Sequence, residues 1–177
     1  MGSDRAILST RPDDDVGTDG PDRWLRLISQ GVIALLVGAA LFGFLGLRTA
    51  TAVATSGGIT LEVLHPEVTR PGIATPFAIS VATVDGSPLP DTVTTRVESA
   101  FLDMFDENGL DPTPVSTFQD DRWIWWTFEV PDGASRLTVS FDARLQPTVQ
   151  SGRTTVVAVE VQGEEAVSLE FHTRVVP

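Results

Sequence analysis

The chain has no cysteine, and because its 12 basic residues are all arginine it has no lysine either. The first absence excludes disulfide stapling, thiolate catalysis and Cys-ligated zinc, and the second excludes Schiff-base and P-loop lysine chemistry. Histidine occurs only at positions 65 and 172. No G-x-S-x-G nucleophile elbow, H-E-x-x-H zinc motif or G-x-G-x-x-G dinucleotide fingerprint occurs in the 177 residues. With no catalytic template in the sequence, the expectation is a protein that is not an enzyme and needs no cofactor. Positive charge is also scarce: 24 Asp and Glu against 12 Arg leave a net charge of −12.

What the sequence does have is one long apolar run. From Leu27 to Leu47 no residue is charged, and only Ser29 and Gln30 are polar. As an α-helix this run would be about 32 Å long, close to the roughly 30 Å hydrocarbon thickness of a bilayer. A helix satisfies its own backbone groups, as lipid requires. Arg26 and Arg48 bracket the run, and Trp24 sits where an amphipathic ring favours the headgroup zone. Arg11, Arg23 and Arg26 precede the run, whereas Arg48 alone follows it closely. This imbalance predicts a cytoplasmic N-terminus and an extracytoplasmic C-terminal part in a single-pass membrane protein. Two A-x-A-like sites among Ala50, Ala52 and Ala54 raise the competing reading of a secreted protein freed by signal cleavage. The run is longer than a signal h-region and Arg48 interrupts the approach to those sites, so a retained signal anchor is the expectation. Ala34 and Gly38, and likewise Ala39 and Gly43, are four residues apart and would let a second transmembrane helix approach closely.

These features divide the chain into a disordered cytoplasmic tail (1–23), a transmembrane helix (24–48), a flexible linker (49–57) and an extracytoplasmic domain (58–177). The tail contains Pro12, Pro21 and three consecutive Asp with little apolar material. The linker reads as a string of small residues.

In the domain the apolar period is two, the signature of strands. Leu137, Val139, Phe141, Ala143 and Leu145 alternate with polar residues, as do Val167, Leu169, Phe171, Thr173 and Val175. Phe77, Ile79 and Val81, and Ile124, Trp126, Phe128 and Val130, follow the same rule. With weaker runs near 59–65, 93–105 and 153–162, about seven strands are expected, separated by turn pairs such as Pro71-Gly72 and Asn108-Gly109. Residues 96–106 also fit helical spacing, but β-branched residues at 92–97 favour strand. The fold class predicted is all-β, an immunoglobulin-like antiparallel sandwich. In architecture it resembles exported bacterial immunoglobulin-like modules behind a signal anchor, without the Cys…Trp…Cys framework of antibody domains.

Three groups stand out as functional candidates. His65 and His172, at the ends of the first and last strands, would need a third ligand to hold a metal, and the spacing supplies none. Asp103, Asp106, Glu107, Asn108, Asp111, Asp120 and Asp121 form an acidic stretch, 103–121, whose spacing fails the EF-hand pattern and reads better as a solvated loop. The competing function, an exported metal- or carbohydrate-dependent enzyme, would use this stretch. Trp123 and Trp125 are the third group. If Ile124, Trp126, Phe128 and Val130 face the core, alternation turns these two rings outward as a partner-binding surface.

Residues 48–177 carry 18 acids and 8 Arg, a net −10, which disfavours nucleic acid and predicts repulsion from anionic headgroups. The expected partners are the lipid bilayer, through 27–47, and another membrane or envelope protein. The expected function is that of a noncatalytic binding or accessory domain in a bacterial envelope complex.

Overall fold

The computed structural model describes residues 21–41 and 46–176, which fall into two compact units divided between Leu45 and Gly46. In the first, helix α1 spans Pro21–Leu41. Proline at the first helical position costs nothing, since that N–H has no intrahelical acceptor, and its fixed φ suits a helix start. Arg23–Ala40 within α1 has a mean hydropathy of 1.3 and is long and apolar enough to cross a membrane. Helix α1 begins three residues before the span predicted at 24–48, residues 42–45 of that span lie outside the described residues, and Arg48 belongs to a strand. Of the expected helix-contact residues, Ala34, Gly38 and Ala39 lie on α1, whereas Gly43 is outside the described residues, as is most of the expected tail.

The second unit is mostly β. Its ten strands among the described residues are β1 (Arg48–Ser56), β2 (Ile59–Thr69), β3 (Ala74–Thr83), β4 (Thr92–Glu98), β5 (Phe105–Asp111), β6 (Ser116–Gln119), β7 (Trp123–Glu129), β8 (Arg136–Leu145), β9 (Arg153–Val161) and β10 (Glu164–Val175). A short helix, α2 (Ser99–Leu102), follows β4. Seven strands were expected, and the added ones are β1, β5 and β6. Residues 96–106, expected as strand, divide into the end of β4, α2 and the start of β5.

The linker expected at 49–57 is instead β1, paired antiparallel with β2 from Thr49↔Pro66 to Ser56↔Ile59. Gly57 and Gly58, at φ 56° and 77°, make the two-residue turn between them. A type I′ hairpin turn needs positive φ at both central positions, which glycine adopts without a Cβ penalty. Ala52 and Ala54 on alternate positions of β1 pack against the core.

The strands form one curled, mixed sheet in the order β5-β8-β3-β2-β10-β9-β4-β7-β6, with β1 on β2. All ladders are antiparallel except β2 with β10, which pair in parallel over only Arg174↔Val68 and Val175↔Thr69. The curl brings two leaves face to face. Leu61, Val63, Ile79, Val81, Leu137 and Val139 from one leaf meet Val93, Val97, Phe128, Val157, Val159 and Leu169 from the other. Burial in β8 has period two, with exposed and buried residues in strict turn from Arg136 to Leu145. At about 25 cal/mol per Å² of apolar area, these inward faces supply the principal stabilisation.

A candidate partner-binding face

Strand β7 has the register expected from its sequence: Trp126 and Phe128 are buried in the core, and Trp123 and Trp125 point to the outer face of their leaf. The two outer rings are half-buried rather than open. The Arg96 and Arg122 guanidinium carbons lie 4.7 and 4.9 Å from the centroid of the Trp123 ring. Such cation–π contacts hold the ring in place. Register explains the first, since Arg96 is cross-strand partner to Trp125 and stands beside the Glu98↔Trp123 pair.

Charge links this cluster together. Arg96 Nη1 donates to Glu160 Oε1 at 3.3 Å, and its Nη2 pairs with Glu165. Trp125 Nε1 donates to the same Glu160 oxygen at 3.3 Å. Arg122 Nη2 donates to Glu98 Oε1 at 3.1 Å, while Glu98 Oε2 accepts the Val156 backbone N–H at 3.1 Å. Asp120 Oδ1 accepts the N–H groups of Arg122 and Trp123 at 2.8 and 2.7 Å, shaping the turn into β7. Preformed geometry of this kind reduces what a partner must order on binding.

The most exposed aromatic on this face was not anticipated. Phe118, in β6, is 62% exposed, and its ring centroid is 5.1 Å from that of Trp125, its cross-strand partner. Val115, just before β6, is also exposed. All four residues of β6 are exposed, and among the described residues β6 pairs on one side only, with β7. An open strand edge beside aromatic rings offers both main-chain hydrogen bonds and apolar contact to an extended segment.

The other candidates do not converge. His65 is buried in β2 and stacks on Phe171, with centroids 4.3 Å apart. His172 is exposed and contacts Thr154 Oγ1 through Nδ1 at 3.1 Å. The acidic stretch is divided between leaves: Asp106 and Asp111 belong to β5, whereas Asp120 and Asp121 form the turn between β6 and β7. Among the described residues no three His, Asp or Glu side chains group as a metal site would require.

Burial lowers the pKa of His65 from its usual value, only partly offset by its contact with the Pro66 carbonyl and by Glu67. The unfolded chain then binds a proton near pH 6.5 that the folded protein resists, so stability is fully present above about pH 6.5 and falls as pH drops below it. His65→Phe should remove this component while keeping the stack on Phe171. Urea unfolding at pH 7.5 and 5.5 checks it; an equal loss on acidification in both proteins would refute it.

No family model matches the chain, and no curated protein matches it. Among solved structures, a non-cellulosomal cohesin from the hyperthermophilic archaeon Archaeoglobus fulgidus aligns over 73% of this chain and 92% of its own, at 8% identity and a TM-score of 0.38. The alkylpurine DNA glycosylase AlkC of Pseudomonas fluorescens, bound to DNA containing an abasic-site analog, aligns over 66% of this chain at 16% identity and a TM-score of 0.31. The chain spans only 30% of that glycosylase's length. Both are distant likenesses of fold.

Proposed function

We propose that the protein is a single-pass membrane protein, N-terminus cytoplasmic, whose extracytoplasmic domain is a noncatalytic binding module for another membrane or envelope protein. The domain is read as an elaborated immunoglobulin-like sandwich, with strands added to the seven of the simplest form. The observation that carries the binding role is the pairing of Phe118 and Trp125 beside the open edge of β6. Large aromatic side chains dominate interface hot spots, and here the cluster around Glu160 and Arg96 holds one of the two rings in place.

Strand β1 supports a retained anchor over secretion after cleavage. Both A-x-A-like sites lie within β1, so cleavage at Ala52 or Ala54 would remove most of a strand that covers the edge of β2.

Purification of the full chain in mild detergent after native crosslinking tests the proposal. A specific membrane or envelope protein is expected to copurify. Phe118→Ser, which alters an exposed ring, should weaken its capture by about 30-fold, as loss of a hot spot of roughly 2 kcal/mol does, with an unchanged melting transition. A solitary monomer, or capture indifferent to Phe118→Ser, would defeat the binding role.

A further inference from the structure

The outer edge of β6 offers a definite set of main-chain groups. Asp120 N–H donates to the Trp123 carbonyl at 3.0 Å, which makes these two a hydrogen-bonded pair at the head of the hairpin. Bonded and non-bonded pairs alternate along an antiparallel ladder, so Phe118↔Trp125 is bonded, whereas Thr117↔Trp126 and Gln119↔Ile124 are not. Thr117 and Gln119 therefore turn their N–H and C=O away from β7, to a side where no strand pairs with them among the described residues. Both residues are exposed. Phe118 stands between them, its ring beside that of Trp125.

Charge around this edge is mostly of one sign. Strands β4, β6 and β7 with the β6–β7 turn hold Glu98, Asp120, Asp121 and Glu129 against Arg96 and Arg122. Both arginines are already engaged, Arg96 by Glu160 and Glu165 and Arg122 by Glu98. Asp120 and Asp121 follow one end of β6. Glu129 lies on β7 two positions beyond Thr127, the register partner of Ser116, and so just past the other end. These three acids are exposed, and no ion pair neutralises them among the described residues.

We propose that β6 takes up an extended segment of the partner protein as an added strand, a segment apolar in its middle and basic toward its ends. This rests on the binding role proposed above and names the form of the partner. Thr117 and Gln119 supply two donors and two acceptors, which set the register of the added strand. Apolar side chains of the segment meet Phe118 and Trp125 on the outer face. Its cationic ends face Asp120 and Asp121 on one side and Glu129 on the other, a complementarity that speeds encounter and turns acidic partners away. A second copy of this chain fits poorly. Pairing β6 with β6 would set the acids of one copy against those of the other, in a protein of net charge −12.

The probe is a fluorescent decapeptide of alternating Thr and Val with two Arg at each end, titrated into the full chain in a nonionic detergent. It should bind, and amide exchange at Thr117 and Gln119 should slow severalfold in its presence. A counterpart with Glu in place of the four Arg should bind about tenfold more weakly. So should the Arg peptide N-methylated through its central residues, which lacks the N–H donors of a strand. Thr117→Pro removes one outward N–H and leaves the bonds to β7 in place, so it should weaken the Arg peptide severalfold with an unchanged melting transition. No binding, unaltered exchange at Thr117 and Gln119, or equal affinity for the Arg and N-methylated peptides overturns strand addition. Equal affinity for the Arg and Glu peptides overturns the basic character of the segment. Exchange at Thr117 that slows with protein concentration alone would mean that a second copy occupies the edge, which also overturns the proposal. Capture of a membrane or envelope protein that is lost in Phe118→Ser but kept in Thr117→Pro would remove the added strand and leave the aromatic site standing; capture indifferent to both defeats the binding role itself.

Discussion

Phe101→Ala is expected to reduce the unfolding free energy by about 3–5 kcal/mol, the range for removing a fully buried phenylalanine. Phe101 is 0% exposed and projects from α2, where the chain crosses from one leaf to the other. Its ring lies 5.1 Å from Phe77, 5.0 Å from Phe105 and 5.3 Å from Phe171, the last two in edge geometry. Phe77 and Phe105 belong to one leaf and Phe171 to the other, so the ring fills the junction between them. Edge-to-face pairs add to the area term. Three rings surrounding the vacated space cannot collapse into it without leaving their own contacts, which places the loss toward the upper part of the range. Urea titration followed by tryptophan fluorescence measures it; a loss below about 1 kcal/mol would mean that the site relaxes and that the aromatic cluster is not the joint described here.

Gly152→Ala carries the second large effect. A Cβ on Gly152 would overlap the Thr173 carbonyl oxygen and lie 2.9 Å from the Arg174 Cα. The obstacle is backbone, so no side-chain rotation relieves it. Arg174 is also one of the two β10 residues that pair with β2. A single added methyl therefore pushes on the strand that closes the two leaves. The expected cost is about 3 kcal/mol, at the high end of overpacking. Ser151→Ala, one residue earlier and exposed, should stay within roughly 0.5 kcal/mol and serves as the comparison.

Much of the sheet was legible in the sequence where one face is buried and the other wet. In β3, β7, β8 and β10 alternation gave both the strand and the direction of each side chain, including the outward turn of Trp123 and Trp125. Strand β1 leaves no alternation because Ala is too small to register as an apolar face, and its one local signal is the hairpin pair Gly57-Gly58 before an apolar run. Strands β5 and β6 lie at the sheet's edges, where polar and acidic residues replace alternation. The site divided along the same line. Which way the Trp rings face is a local property; what lies over them is not. Arg96 reaches Trp123 from a strand some 27 positions earlier in the chain, so the half-burial of that ring depends on tertiary pairing. Phe118 carried a local signal, a large aromatic in a short polar segment just before the tryptophans, but its nearness to Trp125 depended on the register of β6 on β7.

The parallel seam between β2 and β10 has a mechanical consequence. A ladder of two residue pairs contributes little main-chain cohesion, so the halves adhere mainly through their interdigitated interiors, as glued boards do rather than nailed ones. Damage to an outer strand then frays one half alone, whereas damage to the shared filling loosens both together.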